Sequence, residues 1–147
     1  MIKTLLYCHD NCIVHGDIKP DNFLIENKNP ILIDFGLSFK NDIFSNNLNK
    51  NVVIYKGKQG TEGYMAPEVN DNYIGLCSDV YSLGITIYHL FTNESPYFEK
   101  NNLVLDFNET TNLIPYKIQN LLSDMLEHDY RNRPTLEDIV YEYDIFD

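Results

Sequence analysis

A polar run bracketed by short apolar segments constrains this chain most. His15, Asp17, Lys19, Pro20 and Asn22 stand together, and Asp34-Phe35-Gly36 follows after the apolar runs Phe23 to Glu26 and Ile31 to Asp34. Gly16 and Pro20 interrupt any regular pattern, so residues 13 to 22 read as a loop. The two apolar runs, joined by Asn27-Lys28-Asn29-Pro30, read as a short hairpin with strands that end near carboxylates. A carboxylate, an ammonium and an amide within six positions, with a second carboxylate brought close by the hairpin, are the groups that phosphoryl transfer requires. They can position an acceptor, hold a divalent metal and offset developing charge.

The rest of the chain is organised around helices. Ile2, Leu5, Leu6 and His9 have helical spacing until Asp10-Asn11 breaks it. Phe35 to Gly63 has weak periodicity and three glycines near its end, which predicts a long loop of the kind that usually carries function. From Ser78 to Thr92, Val80, Leu83, Ile85, Ile87, Tyr88, Leu90 and Phe91 surround the axis, so this segment is predicted to be a central buried helix starting at Ser78 or Asp79. Asn101 to Asn112 shows no clear element. Pro115 to His128 is helical through Ile118, Leu121, Leu122, Met125 and Leu126, and Thr135 with Asp138 opens a last helix by a capping box. No internal repeat or dividing linker occurs, so 147 residues form one domain.

Charge and composition exclude several functions. A net charge of −11 would repel phosphate backbones and anionic lipids, so neither a nonspecific nucleic-acid surface nor a polybasic membrane patch is expected. No apolar run has the length of a membrane span, and no signal-peptide core is present. Cys8, Cys12 and Cys77 form no CxxC pair and make no metal grouping with the four histidines. They read as free thiols of a reducing compartment, which places the chain in the cytoplasm. The frequent asparagines, among them Asn46, Asn47, Asn49, Asn51, Asn101 and Asn102, carry no function in this reading.

The order His15-Gly16-Asp17, Lys19-Pro20, Asn22 and Asp34-Phe35-Gly36 resembles the catalytic loop and metal-binding triplet of the eukaryotic protein kinase family. Further motifs are similar to that family: Gly60-Thr61-Glu62-Gly63-Tyr64-Met65-Ala66-Pro67-Glu68 to its substrate loop, Asp79-Val80-Tyr81-Ser82-Leu83-Gly84 to the start of its central helix, and Arg131-Asn132-Arg133-Pro134-Thr135 to its late Arg-Pro element. The likeness runs from about Leu5 to Tyr143. It implies a mainly α (α+β) fold, a kinase-like C-terminal lobe with a small hairpin at the active-site edge. Its divisions would be a catalytic loop at 15–22, a metal triplet at 34–36, an activation segment at 34–68 and a helical remainder at 76–144. By resemblance, Asp17 would orient the substrate hydroxyl and accept its proton, Lys19 would meet the transferred phosphate, and Thr61 would bridge the two. Asn22 and Asp34 would hold magnesium, Gly36 would turn the backbone after Asp34, and Leu24 would lie under the adenine of ATP. His15 and Phe35 would be structural, Asp79 would hold the catalytic-loop backbone, and Glu68 would pair with Arg133. The Lys19-Pro20 spacer resembles serine/threonine kinases, which implies a protein Ser or Thr hydroxyl as acceptor.

Two departures qualify the resemblance. Gly16 stands where many members carry the arginine that reads a phosphate on the activation loop, so control through Ser38, Ser45, Tyr55 or Thr61 loses that reader. These 147 residues also hold no glycine-rich phosphate loop and no strand lysine with its glutamate partner. The expectation is a truncated kinase domain that depends on an ATP-covering lobe from elsewhere, with an exposed apolar face for that lobe or for a partner protein. The competing expectation is a noncatalytic kinase-derived interaction module or gene remnant. A metal-dependent hydrolase would leave Lys19-Pro20 and Ala66-Pro67-Glu68 unexplained.

Overall fold

A computed structural model describes residues 1–45, 51–94, 96–99, 102–105 and 114–143. Asn46, Asn47, Asn49, Asn101, most of the expected ill-defined stretch and position 144 lie outside the described residues. The chain is a mixed α+β protein in which helix predominates and the strands form small antiparallel pairs.

Helix α1, Ile2–Asp10, buries Leu5 and Cys8 on one face. Asn11 ends it by donating its side-chain amide to Tyr7 O at 2.8 Å, and Cys12 turns the chain away at φ 59°. The next segment is not purely loop: β1, Ile13–Val14, pairs with β4, Phe39–Lys40. That partner lies far along the chain, beyond the reach of local periodicity. Between them, β2, Phe23–Glu26, and β3, Asn29–Leu32, form the hairpin, with Phe23 opposite Leu32 and Leu24 opposite Ile31. The second strand sits two residues earlier than its apolar run suggests. Asn27 and Lys28, at φ 51° and 67°, close a two-residue turn, whose left-handed centre matches the twist of the strands better than a four-residue link.

The expected long loop is tied down in several places. It holds β4, a 3-10 turn at Asp42–Ser45, and β5, Ile54–Tyr55, which pairs with β6, Tyr73–Ile74, beyond the short helix α2, Pro67–Asn70. β7, Tyr97–Glu99, and β8, Asn102–Val104, pair where no element is expected.

Helix α3, Leu76–Thr92, is the hub. It begins earlier than Ser78 because Gly75 serves as its N-cap, and the Gly75 N–H donates to Ser78 Oγ at 3.0 Å. Two clusters explain its all-round burial. Val80 and Leu83 pack with Leu5, Ile18, Leu121, Met125 and Leu136, whereas Tyr81 and Ile85 pack with Val14, Phe44, Ala66, Ile74 and Leu126. Removing a side chain such as Leu83 should cost about 2 to 5 kcal/mol, because the surroundings cannot collapse fully into the space. Gly84 admits the neighbouring chain: a Cβ there would stand 3.0 Å from Leu126 Cδ2. Burial lapses at the end of the helix, where Leu90 and Phe91 are exposed. Helix α4, Tyr116–Met125, lays Leu121, Leu122 and Met125 against this core. Helix α5, Leu136–Glu142, starts at the Thr135–Asp138 capping box, with reciprocal bonds of 3.1 and 2.9 Å.

Candidate active site

The loop that carries Asp17 is fixed from below by a buried carboxylate. Asp79, in the first turn of α3, accepts the His15 N–H at 2.7 Å and the Gly16 N–H at 2.9 Å. His9 Nε2 approaches the same carboxylate at 3.3 Å from α1. The His15 ring, fully buried, ties the loop to the end of the hairpin. Its Nδ1 accepts the Asp17 N–H at 3.3 Å, which leaves the proton on Nε2, and that nitrogen donates to Ile33 O at 3.1 Å. Phe35 meets the imidazole edge-on, with ring centroids 4.9 Å apart. Ser38 Oγ donates to His15 O at 3.0 Å. Buried backbone amides thus find side-chain partners, and the loop between β1 and β2 is held without ladder bonds of its own.

Three functional groups converge above this base. The Thr61 hydroxyl donates to Asp17 Oδ1 at 2.6 Å and accepts from Lys19 Nζ at 2.7 Å. Lys19 Nζ also lies 3.0 Å from Asp17 Oδ2. Asn22, set by a 3-10 turn at Pro20–Asn22, donates its amide to Asp17 O at 2.7 Å and to Asp17 Oδ2 at 3.2 Å. Partial burial of the Asp17 carboxyl pushes its pKa up. The hydrogen bonds from Thr61, Lys19 and Asn22, with the Lys19 charge, outweigh that push, and the net direction is down from 3.8.

The second carboxylate follows the second strand, at the same open end of the hairpin as Asn22. Ile33 N–H donates to Asn22 O at 2.9 Å, so the strand register sets Asp34 one residue from the point opposite Asn22. Asp34 is exposed and adopts φ 59°, while Gly36 has no left-handed φ. The turn is therefore made at Asp34 itself, a residue type that tolerates this conformation better than most. Gly36 instead admits the carboxylate: its N–H donates to Asp34 Oδ1 at 3.2 Å, and a Cβ there would lie 3.1 Å from that oxygen. Leu24 lies on the open face of the hairpin, opposite Ile31, and both are exposed.

Asn22 and Asp34 suit a hard divalent cation. Since the Asn22 amide nitrogen is committed to Asp17, its oxygen is left for a ligand, and Asp34 keeps one carboxylate oxygen without a bond to Gly36. Among the described residues no group of three His, Cys, Asp or Glu side chains could hold a metal alone. A two-oxygen protein set is what a cation shared with phosphate needs.

Glu68 and Arg133 form a different kind of site. Arg133 is buried and donates from both terminal nitrogens to the two Glu68 oxygens at 2.7 and 2.8 Å, then to Cys77 O, Glu127 O and His128 O. All five N–H groups of the guanidinium are used. Ser78 Oγ adds a bond to Glu68 at 2.8 Å, and Tyr81 lies under the guanidinium at 4.8 Å.

Gly16, at φ 80°, lies against the segment that leads to Thr61. A Cβ there would meet Gln59 Nε2 at 2.9 Å, and Gln59 donates to Leu37 O at 3.2 Å. Of the candidate acceptors, Ser38 and Thr61 spend their hydroxyls inside the site, whereas Tyr55 is exposed.

His9, Ser38, Gln59 and Ser78 join the site without being singled out by motif. For His9 the available signal is a polar residue within the apolar stripe of α1. For Ser78 it is a hydroxyl in the first turn of a buried helix. Ser38 and Gln59 offer none, because their partners are backbone carbonyls distant in sequence.

A family model described as a protein kinase domain matches residues 1–143. A protein of Acanthamoeba polyphaga mimivirus named as a serine/threonine-protein kinase is 38% identical over 151 residues, covering 95% of this chain and 51% of the relative. CBL-interacting protein kinase 17 of Oryza sativa is 34% identical over 136 residues, 86% of this chain and 29% of the relative. The carbon catabolite-derepressing protein kinase of Secale cereale is 34% identical over 131 residues, 86% and 24% respectively. The chain thus spans about half the length of the viral relative and less of the plant ones.

Proposed function

The chain belongs to the protein kinase family, and on that premise we propose that it is the C-terminal, substrate-handling part of a serine/threonine kinase that transfers the γ-phosphate of ATP to a protein hydroxyl. The observation that carries this reading is the Asp17, Thr61 and Lys19 cluster, with Asn22 oriented against it. With its depressed pKa, Asp17 is ionised at neutral pH and can orient a substrate hydroxyl and take its proton. Thr61 fixes the carboxylate and ammonium relative to each other, and Lys19 places its charge where the moving phosphoryl oxygens gather negative charge. Asn22 and Asp34 would hold magnesium. Magnesium and ATP, when bound, supply the phosphoryl group and neutralise its charge. Leu24, paired with Ile31, offers an apolar floor to the adenine ring.

Leu24, Ile25, Ile31 and Phe35 are all at least 39% exposed, and they cluster on and just beyond the hairpin that carries the site. In this reading an ATP-covering segment from outside these 147 residues covers them, either from the same protein or from a partner chain. The same exposed residues favour a second reading, a noncatalytic module whose partner binds there. Three buried free thiols suit a reducing cytoplasmic setting. Among the described residues no helix is long and apolar enough to cross a membrane.

Calorimetric titration of magnesium–ATP into the chain, with Asp34→Ala beside it, tests the half-site. Binding that vanishes in the variant is expected, and its absence in both would favour the noncatalytic module. Transfer of labelled γ-phosphate to a Ser/Thr peptide mixture by the covered enzyme should fall about a hundredfold or more in Asp17→Asn. Undiminished transfer would overturn the assignment of Asp17.

A further inference from the structure

The residues from Lys56 to Thr61 are each held by a residue outside that segment. The backbone amides of Lys56, Gly57 and Lys58 all donate to Asn72, the first two to its carbonyl oxygen at 3.0 and 3.2 Å and the third to its side-chain Oδ1 at 3.0 Å. Gln59 Nε2 donates to Leu37 O at 3.2 Å. Gly60 lies so close to the catalytic loop that a Cβ on it would stand 3.0 Å from Gly16 O. Thr61 follows directly and meets Asp17 and Lys19.

Asn72 can take three amides because its own position is fixed. Its N–H donates to Val69 O at 3.0 Å, at the end of the short helix α2 whose Glu68 is paired with buried Arg133. On its other side the chain enters β6, where Ile74 is buried. The φ of Asn72 is 70°, a conformation that asparagine, aspartate and glycine tolerate and that other side chains resist. The closed Glu68–Arg133 network is thereby connected, through one half-buried residue, to the segment that delivers Thr61 to the open site.

We propose that Asn72 is a positioning residue that holds Thr61 against Asp17 and Lys19 with no covalent modification of the loop. The inference deepens the reading of those three residues as the transfer site and rests on it for its meaning, but its first test needs neither ATP nor activity.

Amide exchange and proton–nitrogen correlation spectra of the 147-residue chain, its intact mass confirmed as unmodified, come first. The Lys56, Gly57 and Lys58 amides should exchange about tenfold or more below the open-chain rate. Asn72→Gly keeps the left-handed turn and removes Oδ1. It should return Lys58 to open-chain exchange and shift the Thr61 and Lys19 amide resonances, whereas Asn72→Asp, which restores an acceptor, should match the unaltered chain. Exchange at Val80 and Leu83 in α3 should agree among all three within about threefold, which separates misplacement of the segment from loss of the fold. Open-chain exchange at 56–58 in the unaltered chain, or shifts in Asn72→Gly that do not reach Thr61 and Lys19, would overturn the proposal. In the covered enzyme, Asn72→Gly should lower kcat about fivefold with the KM for ATP unchanged, and Asn72→Asp should restore transfer. In a Thr61→Val background the same change should cost less than about twofold, because both act on one contact. Undiminished transfer by Asn72→Gly would overturn the positioning role. No transfer by the unaltered enzyme, with the exchange pattern as expected, would overturn the transfer reading alone and support the clasp.

Discussion

Two charged pairs in this molecule, Arg133 with Glu68 and Lys19 with Asp17, are built from similar chemistry and arranged oppositely. In the first, the side chains are 0% and 7% exposed, and every guanidinium N–H has an acceptor. In the second, the side chains are 22% and 12% exposed, and the groups face an open edge where a hydroxyl and a phosphate could join them. A closed network has no capacity left for a ligand, and its value lies in holding α2 to the segment before α5. An open one keeps unspent hydrogen-bonding capacity, which chemistry can use. The difference separates architecture from site more clearly than charge alone.

The comparison breaks most readily at the closed pair. Arg133→Ala should lose about 3 to 5 kcal/mol in urea unfolding, because Glu68 would be stranded without its partner. Replacing both residues with leucine and methionine should recover most of that loss, since the desolvation cost disappears along with the attraction. Asp17→Ala should lower the same unfolding free energy by about 1 kcal/mol or less, and a large loss there would erase the distinction.

A smaller effect sharpens the open site. Thr61→Val keeps the shape of the side chain but removes the hydroxyl between Asp17 and Lys19, and should reduce phosphate transfer by the covered enzyme about tenfold through misplacement. Thr61→Ser should retain most activity. The pH profile adds a further check. Because Asp17 is depressed below 3.8, the stabilisation from its contacts is present at neutral pH and is lost only as pH falls through that lowered value. Phosphate transfer should therefore show no acid limb from Asp17 between about pH 5 and pH 8. The smallest effect belongs to the closed region. Burial, followed by the Glu68 charge, pushes the Cys77 thiol up to about 12, so iodoacetamide should leave it unmodified in the native chain and alkylate it in urea.

Legibility in the sequence follows the range of the interactions. The Thr135–Asp138 cap and the apolar stripe of α4 act within one or two helical turns, and their spacing alone announces them. The all-round burial of α3 is visible too, although its start is not, because Gly75 caps it through Ser78 and no cap-type side chain marks the place. The hairpin is readable, but its register is not. Asn27-Lys28 makes a turn of two residues rather than four, and the left-handed position after the strand falls on Asp34 instead of Gly36. The pairing of β1 with β4 has no local signal at all.

By itself, the sequence determined which residues could do chemistry and that they sit on a loop and a hairpin, since side-chain type and short-range periodicity are written residue by residue. Tertiary structure alone decided how they meet. Thr61 reaches Asp17 and Lys19 only because Asp79 of α3 anchors one loop while Gln59, bonded to Leu37 O, lies beside Gly16 of that loop. His9 reaches Asp79 only because α1 packs beside that helix. Hydrogen-bond partners so distant in sequence are chosen by packing around a common core, and no local pattern encodes that choice.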